Sequence, residues 1–271
     1  MTKMKKQTAP LIYMQLLLFI AIILLAQYQL FTFAFISIFC FILYLMIKSE
    51  PNRLFIWTAA AYLLGYVFYL YGDRLTEELP FSFSTIMIVK RFLLLFPILF
   101  IYYVSKKFGK RANDFYGLPN WKEKISFPFI WKGFHTVSIK TFLMIALSIN
   151  VIAFIPLILK ENMVLSLSFL TFLILFSAIN AIIEEALWRG LLLTRMKDLA
   201  GEKAAVIFSG LAFGLSHLAL GYSLPICLGF AAGGFFYAGM TVRSRSLFPA
   251  MIWHFFYNVL MIVSGIIPYP G

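Results

Sequence analysis

Residues 11–47, LIYMQLLLFIAIILLAQYQLFTFAFISIFCFILYLMI, form an almost unbroken apolar run, and its reading decides the fold. A helix that crosses a bilayer needs about 20 apolar residues. This run is about twice that, with Gln27, Tyr28 and Gln29 in its middle. It therefore splits into a tight pair of spans, 11–26 and 30–47. The basic stretch before it, Met1 to Lys6, is followed by no small-residue cleavage site, so it reads as the flank of a retained first span rather than a signal peptide.

The same reading continues along the chain. Further apolar runs cover 54–71, 83–104, 137–159, 163–193, 203–220, 224–242 and 247–267. That makes nine candidate spans, or eight if one of the first pair is re-entrant. The composition agrees, with 62% hydrophobic and 13% charged residues in 271, whereas soluble domains are about 25% charged. The expected fold class is all-α, a polytopic transmembrane helix bundle in the cell membrane. The expected division is 1–136, N-terminal transmembrane helices with a cytoplasmic loop at 105–136, followed by a C-terminal membrane core at 137–271. No internal repeat and no Gly-rich phosphate loop occurs.

The charges orient the spans. With the N-terminus in the cytoplasm, 18 of the 23 Lys and Arg residues fall in inner loops or at inner span ends, and only Arg74 and Lys160 fall in outer loops. This asymmetry is what the positive-inside rule expects. The formal charge of +12 is thereby assigned to topology and to attraction for anionic lipid, and nucleic acid is set aside as a partner. Residues 121–134, WKEKISFPFIWKGF, mix basic and aromatic side chains and read as an interfacial anchor of the amphipathic-helix kind, with a substrate-docking lip as the alternative. Cys40 and Cys227 lie far apart in apolar runs and read as small buried hydrophobes rather than a disulfide or a CxxC site.

Ionisable groups inside a membrane are costly, about 2.5–3.5 kcal/mol each at mid-helix, so those that remain carry information. Three clusters stand out. Glu184 and Glu185 are adjacent on a long helix and point about 100° apart. Glu185 and Arg189 are i,i+4 and can pair. Asn180 and Glu184 share a face in the same way. Glu184 is then left to face the bundle interior, where a buried carboxylate suits a general base. Taken alone, the acidic pair would read as helix-end charges reaching the cytoplasm. The second cluster is Phe213 with His217, beside a close-packing Gly210/Gly214 pair. The third is His254 with Asn258, i,i+4 on the last span. Each His is also readable as helix–helix glue. Depth joins the three clusters, because all lie about 10–20 Å inside the membrane from the same side. Lys90 and Arg91, about eight residues into their span, find no role in this scheme. Glu77 and Glu78 are the carboxylates proposed to pair with them.

Read in order, Glu184-Glu185-x-x-x-Arg189, Phe213-x-x-x-His217 and His254-x-x-x-Asn258 resemble the motifs of the CPBP family. That family comprises the type II CAAX prenyl endopeptidases and the bacterial bacteriocin-processing and self-immunity (Abi) proteins. The resemblance covers about Asn180 to the C-terminus. It implies an intramembrane glutamate-dependent endopeptidase in which Glu184 and His217 activate water. His254 and Asn258 would form an oxyanion hole, and Glu185, Arg189 and Phe213 would support the geometry. The implied partners are membrane lipid and a peptide or membrane-protein substrate: a CAAX-like C-terminus, a leader peptide, a pheromone or a bacteriocin. No cofactor is expected. Glu184, His217 and His254 would also serve as a zinc set, but no HExxH occurs and the reading without an obligatory metal is preferred. Two other classes compete: a non-catalytic immunity or sensor-kinase-regulating protein of the same family, and a small transporter. Transporters commonly carry paired broken helices in matching halves, and none is seen here.

Overall fold

The computed structural model describes residues 9–45, 50–161 and 165–269. The basic residues Lys3, Lys5, Lys6 and Lys48, counted above as inner charges, lie outside the described residues, as does Met163 at the start of the sixth span. Of the described residues, 76% are helical. Among the described residues, seven helices are long and apolar enough to cross a membrane, and two shorter apolar helices lie at Phe31–Leu43 and Phe248–Val263. These nine segments follow the nine spans read from the sequence. The all-α expectation holds.

In chain order the helices are α1 (Ala9–Gln27), α2 (Phe31–Leu45), α3 (Glu50–Glu77), α4 (Phe83–Phe92), α5 (Leu95–Lys107), α6 (Ile139–Ile158), α7 (Leu167–Glu185), α8 (Leu193–Ala200), α9 (Glu202–Leu215), α10 (Leu224–Ser244) and α11 (Phe248–Val263). Serines start three of them. The hydroxyls of Ser82, Ser138 and Ser166 accept from the amides of Thr85, Thr141 and Phe169, which satisfies an otherwise orphaned donor at each helix start. Large apolar side chains such as Leu17, Phe33 and Ile152 stay exposed on the outer faces. A contiguous apolar exterior of this kind suits lipid rather than water.

Three local departures matter for function. The fourth span is two helices, α4 and α5, broken at Leu93–Leu94. Pro97 causes the break, because it has no N–H for the carbonyl of Leu93 four residues earlier and its ring collides with that carbonyl. The sixth span does not stay α-helical. Ala186–Leu192 is a π-helix joining α7 to α8, and it begins directly after Glu185. Widened turns of this type are rare and cluster at functional sites. Residues 121–134, expected to form an interfacial helix, instead enter an antiparallel hairpin, β1 (Lys124–Phe129) and β2 (Lys132–Ser138). The expectation is corrected here. Ser126, Phe127, Thr136 and Val137 belong to a strand-like alternating pattern, and Gly133 sits where a Cβ would run into the backbone of Phe127.

The chain divides into two compact units. The first comprises Met1–Tyr69, Phe96–Asp114 and Leu187–Ala238. In it α1 packs on α2, α8 and α9, and α8 packs on α9. Aromatic contacts run from Phe19 to Tyr62 (5.4 Å), from Tyr62 to Trp188 (5.9 Å) and from Trp188 to Phe213 (5.8 Å). The Gly210/Gly214 face works as read. A Cβ at Gly210 would lie 2.6 Å from the backbone nitrogen of Phe235, and one at Gly214 would strike the carbonyl of Cys227 and the backbone of Ala231.

The second unit comprises Leu70–Leu95, Phe115–Ala186 and Gly239–Gly271. In it α7 packs against both α4 and α11, α11 also packs against α6, and the hairpin rests on α6. Phe142 links the hairpin to α11, with Phe127 at 5.9 Å and Trp253 at 6.3 Å. Arg243 donates to the Glu123 carboxylate (3.0 Å) and the Lys124 carbonyl (2.7 Å), fixing the base of the hairpin.

Candidate active site

In the second unit, α7 and α11 bring together four of the residues singled out by the motifs. Glu184, Glu185, His254 and Asn258 are all buried. Glu185 is fully enclosed, and its Oε1 lies 2.8 Å from Nδ1 of His254. A carboxylate accepts, so Nδ1 carries the proton and donates. The neutral ring then bears its lone pair on Nε2. That nitrogen lies 3.8 Å from Oε2 of Glu184. The two adjacent carboxylates therefore address opposite ends of one imidazole, Glu185 at Nδ1 and Glu184 at Nε2. Buried Oε2 of Glu184 has no hydrogen-bond partner among the described residues. Asn258, one turn along α11 from His254, donates from Nδ2 to the carbonyl of Ser177 at 3.5 Å.

Arg91 of α4 completes this group and was not assigned by the motifs. Its Nη1 donates to Oδ1 of Asn180 at 3.4 Å and lies 3.9 Å from Oε1 of Glu184. The sequence signal was an ionisable residue inside a span, but its contacts lie some 90 positions away in sequence, at Asn180 and Glu184, where no local pattern points. Lys90 pairs with Asp73 (3.0 Å) and Glu77 (3.1 Å) on α3. Glu77 was one of the two carboxylates proposed for it, and Asp73 was not foreseen.

The remaining motif residues belong to the first unit. Arg189 is fully buried, lies 4.2 Å above the Phe213 ring and 5.1 Å from that of Tyr237, and donates to the Gly234 carbonyl at 3.4 Å. The π-turn begins between Glu185 and Arg189. His217 lies just past the end of α9, not within a continuous helix as expected. The hydroxyl of Ser216 (2.7 Å) and Nδ1 of His217 (2.8 Å) both donate to the carbonyl of Phe213, which ends the regular ladder there. A carbonyl only accepts, so the neutral His217 ring also has its lone pair on Nε2. Phe213 and Phe230 flank the ring at 4.8 and 4.7 Å. Phe213 thus supports His217 through its carbonyl and Arg189 through its ring.

Among the described residues no three His, Cys, Asp or Glu side chains come together as a metal-holding group.

Two buried carboxylates, an imidazole and an amide gather on apolar helices of a multi-pass membrane protein. A family profile described as Type II CAAX prenyl endopeptidase Rce1-like matches residues 166–260, a stretch that spans all three motifs. This is consistent with the CPBP resemblance, and the family's activity points to a membrane peptidase. No curated protein and no solved structure gives a significant match.

Proposed function

We propose that the chain is a glutamate-dependent intramembrane endopeptidase of the cell membrane, cutting a peptide or protein near the cytoplasmic side. The observation that carries this reading is the pairing of Glu184 Oε2 with His254 Nε2 across 3.8 Å. That gap is too long for a direct hydrogen bond and suits one water oxygen at about 2.8 Å from each atom. Glu184 takes a proton from the water. The hydroxide adds to the scissile carbonyl carbon, and the carbonyl oxygen becomes an oxyanion. The proton then passes to the leaving nitrogen as the C–N bond breaks.

The oxyanion needs N–H donors. Asn258 offers an amide N–H. His254 can donate from Nε2 only when its ring carries both protons, since Nδ1–H is already directed at Glu185. Glu185 then serves as its counter-charge, since Glu184 holds the proton taken from water at that stage. Glu185 is in this reading part of the chemistry of His254 and not only a structural support. The role of His217 as partner in water activation is carried by the motif resemblance, and the lone pair on its Nε2 suits it.

The substrate classes are a prenylated C-terminus or a leader, pheromone or bacteriocin peptide, and no metal is required. The test is processing by the intact protein and by Glu184→Ala at matched membrane levels. Loss of about 10³-fold or more is expected for removal of a general base. Unchanged function in Glu184→Ala, His217→Ala and His254→Ala would instead mark a non-catalytic immunity or kinase-regulating protein.

A further inference from the structure

We infer that Arg91 is a positioning residue for Glu184, supplied from α4, outside the region the family profile matches. The inference rests on the reading of Glu184 as general base. Phe176, Asn180 and Glu184 stand at four-residue intervals on α7 and so form one stripe along the helix. Arg91 lies along that stripe and meets all three. Its guanidinium carbon is 5.6 Å from the centre of the Phe176 ring, Nη1 donates to Asn180 at 3.4 Å, and the same nitrogen stands 3.9 Å from Glu184 Oε1. The ring and the amide fix where the cation sits. The cation in turn holds Oε1, which leaves Oε2 toward His254. A base acts through one oxygen, and anchoring the other selects which one.

Lys90 provides an internal contrast. It is adjacent in sequence and also charged, yet it turns to Asp73 and Glu77. The two cations of α4 thus have separate tasks, and only Arg91 reaches the polar centre. A cation held within a span is costly, and the Lys90 contacts show that this helix could have satisfied a positive charge at the α3 carboxylates instead.

The experiment uses the full-length protein and the peptide that it, and not Glu184→Ala, processes in cell membranes. Arg91→Gln, Arg91→Lys and Lys90→Gln are compared for kcat, KM and melting in detergent. Arg91→Gln is expected to lose about 100-fold in kcat with KM changed by less than about threefold. Arg91→Lys keeps the charge at a site contacted from one nitrogen and is expected to recover about tenfold of that loss. Lys90→Gln is expected to process at the wild-type rate. A wild-type kcat in Arg91→Gln, while Glu184→Ala is inactive, overturns the inference alone. So does a parallel drop in melting temperature, kcat and apparent affinity that Arg91→Lys does not relieve, since that marks a packing role. If no peptide depends on Glu184, the base assignment falls and this inference falls with it.

Discussion

His254 shows how much a single hydrogen bond settles at the residue scale. With Nδ1 directed at Glu185, the ring cannot offer Nε2–H while neutral. In the proposed mechanism, the charge of Glu185 and not only its shape is then required. Glu185→Gln keeps an oxygen acceptor for Nδ1 but removes the counter-charge. A fall in kcat of about 10²-fold is predicted, near the value for losing one oxyanion donor, and Glu185→Ala should fall to a similar level. Steady-state kinetics on both variants checks this; wild-type kcat in Glu185→Gln would reduce Glu185 to a geometric support. The motif residues were legible from the sequence because charges inside apolar runs are conspicuous. The division of labour between Glu184 and Glu185 was legible only in part. Helical phase separated the two carboxylates, but one partner of Glu185, His254, stands 69 positions away on α11. Arg91 was visible as an anomaly and unreadable as a contact for the same reason.

At the scale of elements, the spans could be read because their signal is length and hydropathy, which tertiary contacts do not alter. The breaks within them are harder to read. The π-turn at Ala186–Leu192 and the end of α9 at Leu215 depend on who accepts which backbone or side-chain proton, and composition does not encode that. The hairpin was misread because aromatic and basic residues at 121–134 fit an interfacial helix equally well by composition. The Gly210/Gly214 face was read correctly, since GxxxG reports close backbone approach directly. Gly214→Val would place side-chain atoms where the Cys227 carbonyl and Ala231 backbone lie. A loss of the order of 3 kcal/mol is predicted from overpacking, visible as a lower melting temperature in detergent, while Gly229→Val, where a Cβ meets nothing within 4 Å, should melt as the wild type does.

For the whole molecule, the asymmetry of Lys and Arg predicts a topology, nine spans with the N-terminus in the cytoplasm. Single-cysteine reporters in a background lacking Cys40 and Cys227 test it. Leu118, 95% exposed in the loop before the hairpin, is predicted to label as Leu118→Cys only after the membrane is permeabilised. Leu79→Cys, in the loop between α3 and α4, is predicted to label in intact cells. The reverse pattern would invert the membrane side assigned to the reaction. Topology of this kind is set by short loops and is read from sequence more directly than any contact.

The central claim is that Glu184 drives peptide-bond hydrolysis without an obligatory metal. The most direct measurement is a mass-spectrometric comparison of small secreted and membrane peptides from cells carrying the intact protein and cells carrying Glu184→Ala, repeated with membranes treated with a strong chelator. At least one peptide is expected to be processed only by the intact protein, with processing that persists under the chelator. Identical peptide profiles from two well-expressed proteins would contradict hydrolysis by Glu184, and processing abolished by the chelator and restored by zinc would contradict the metal-free chemistry.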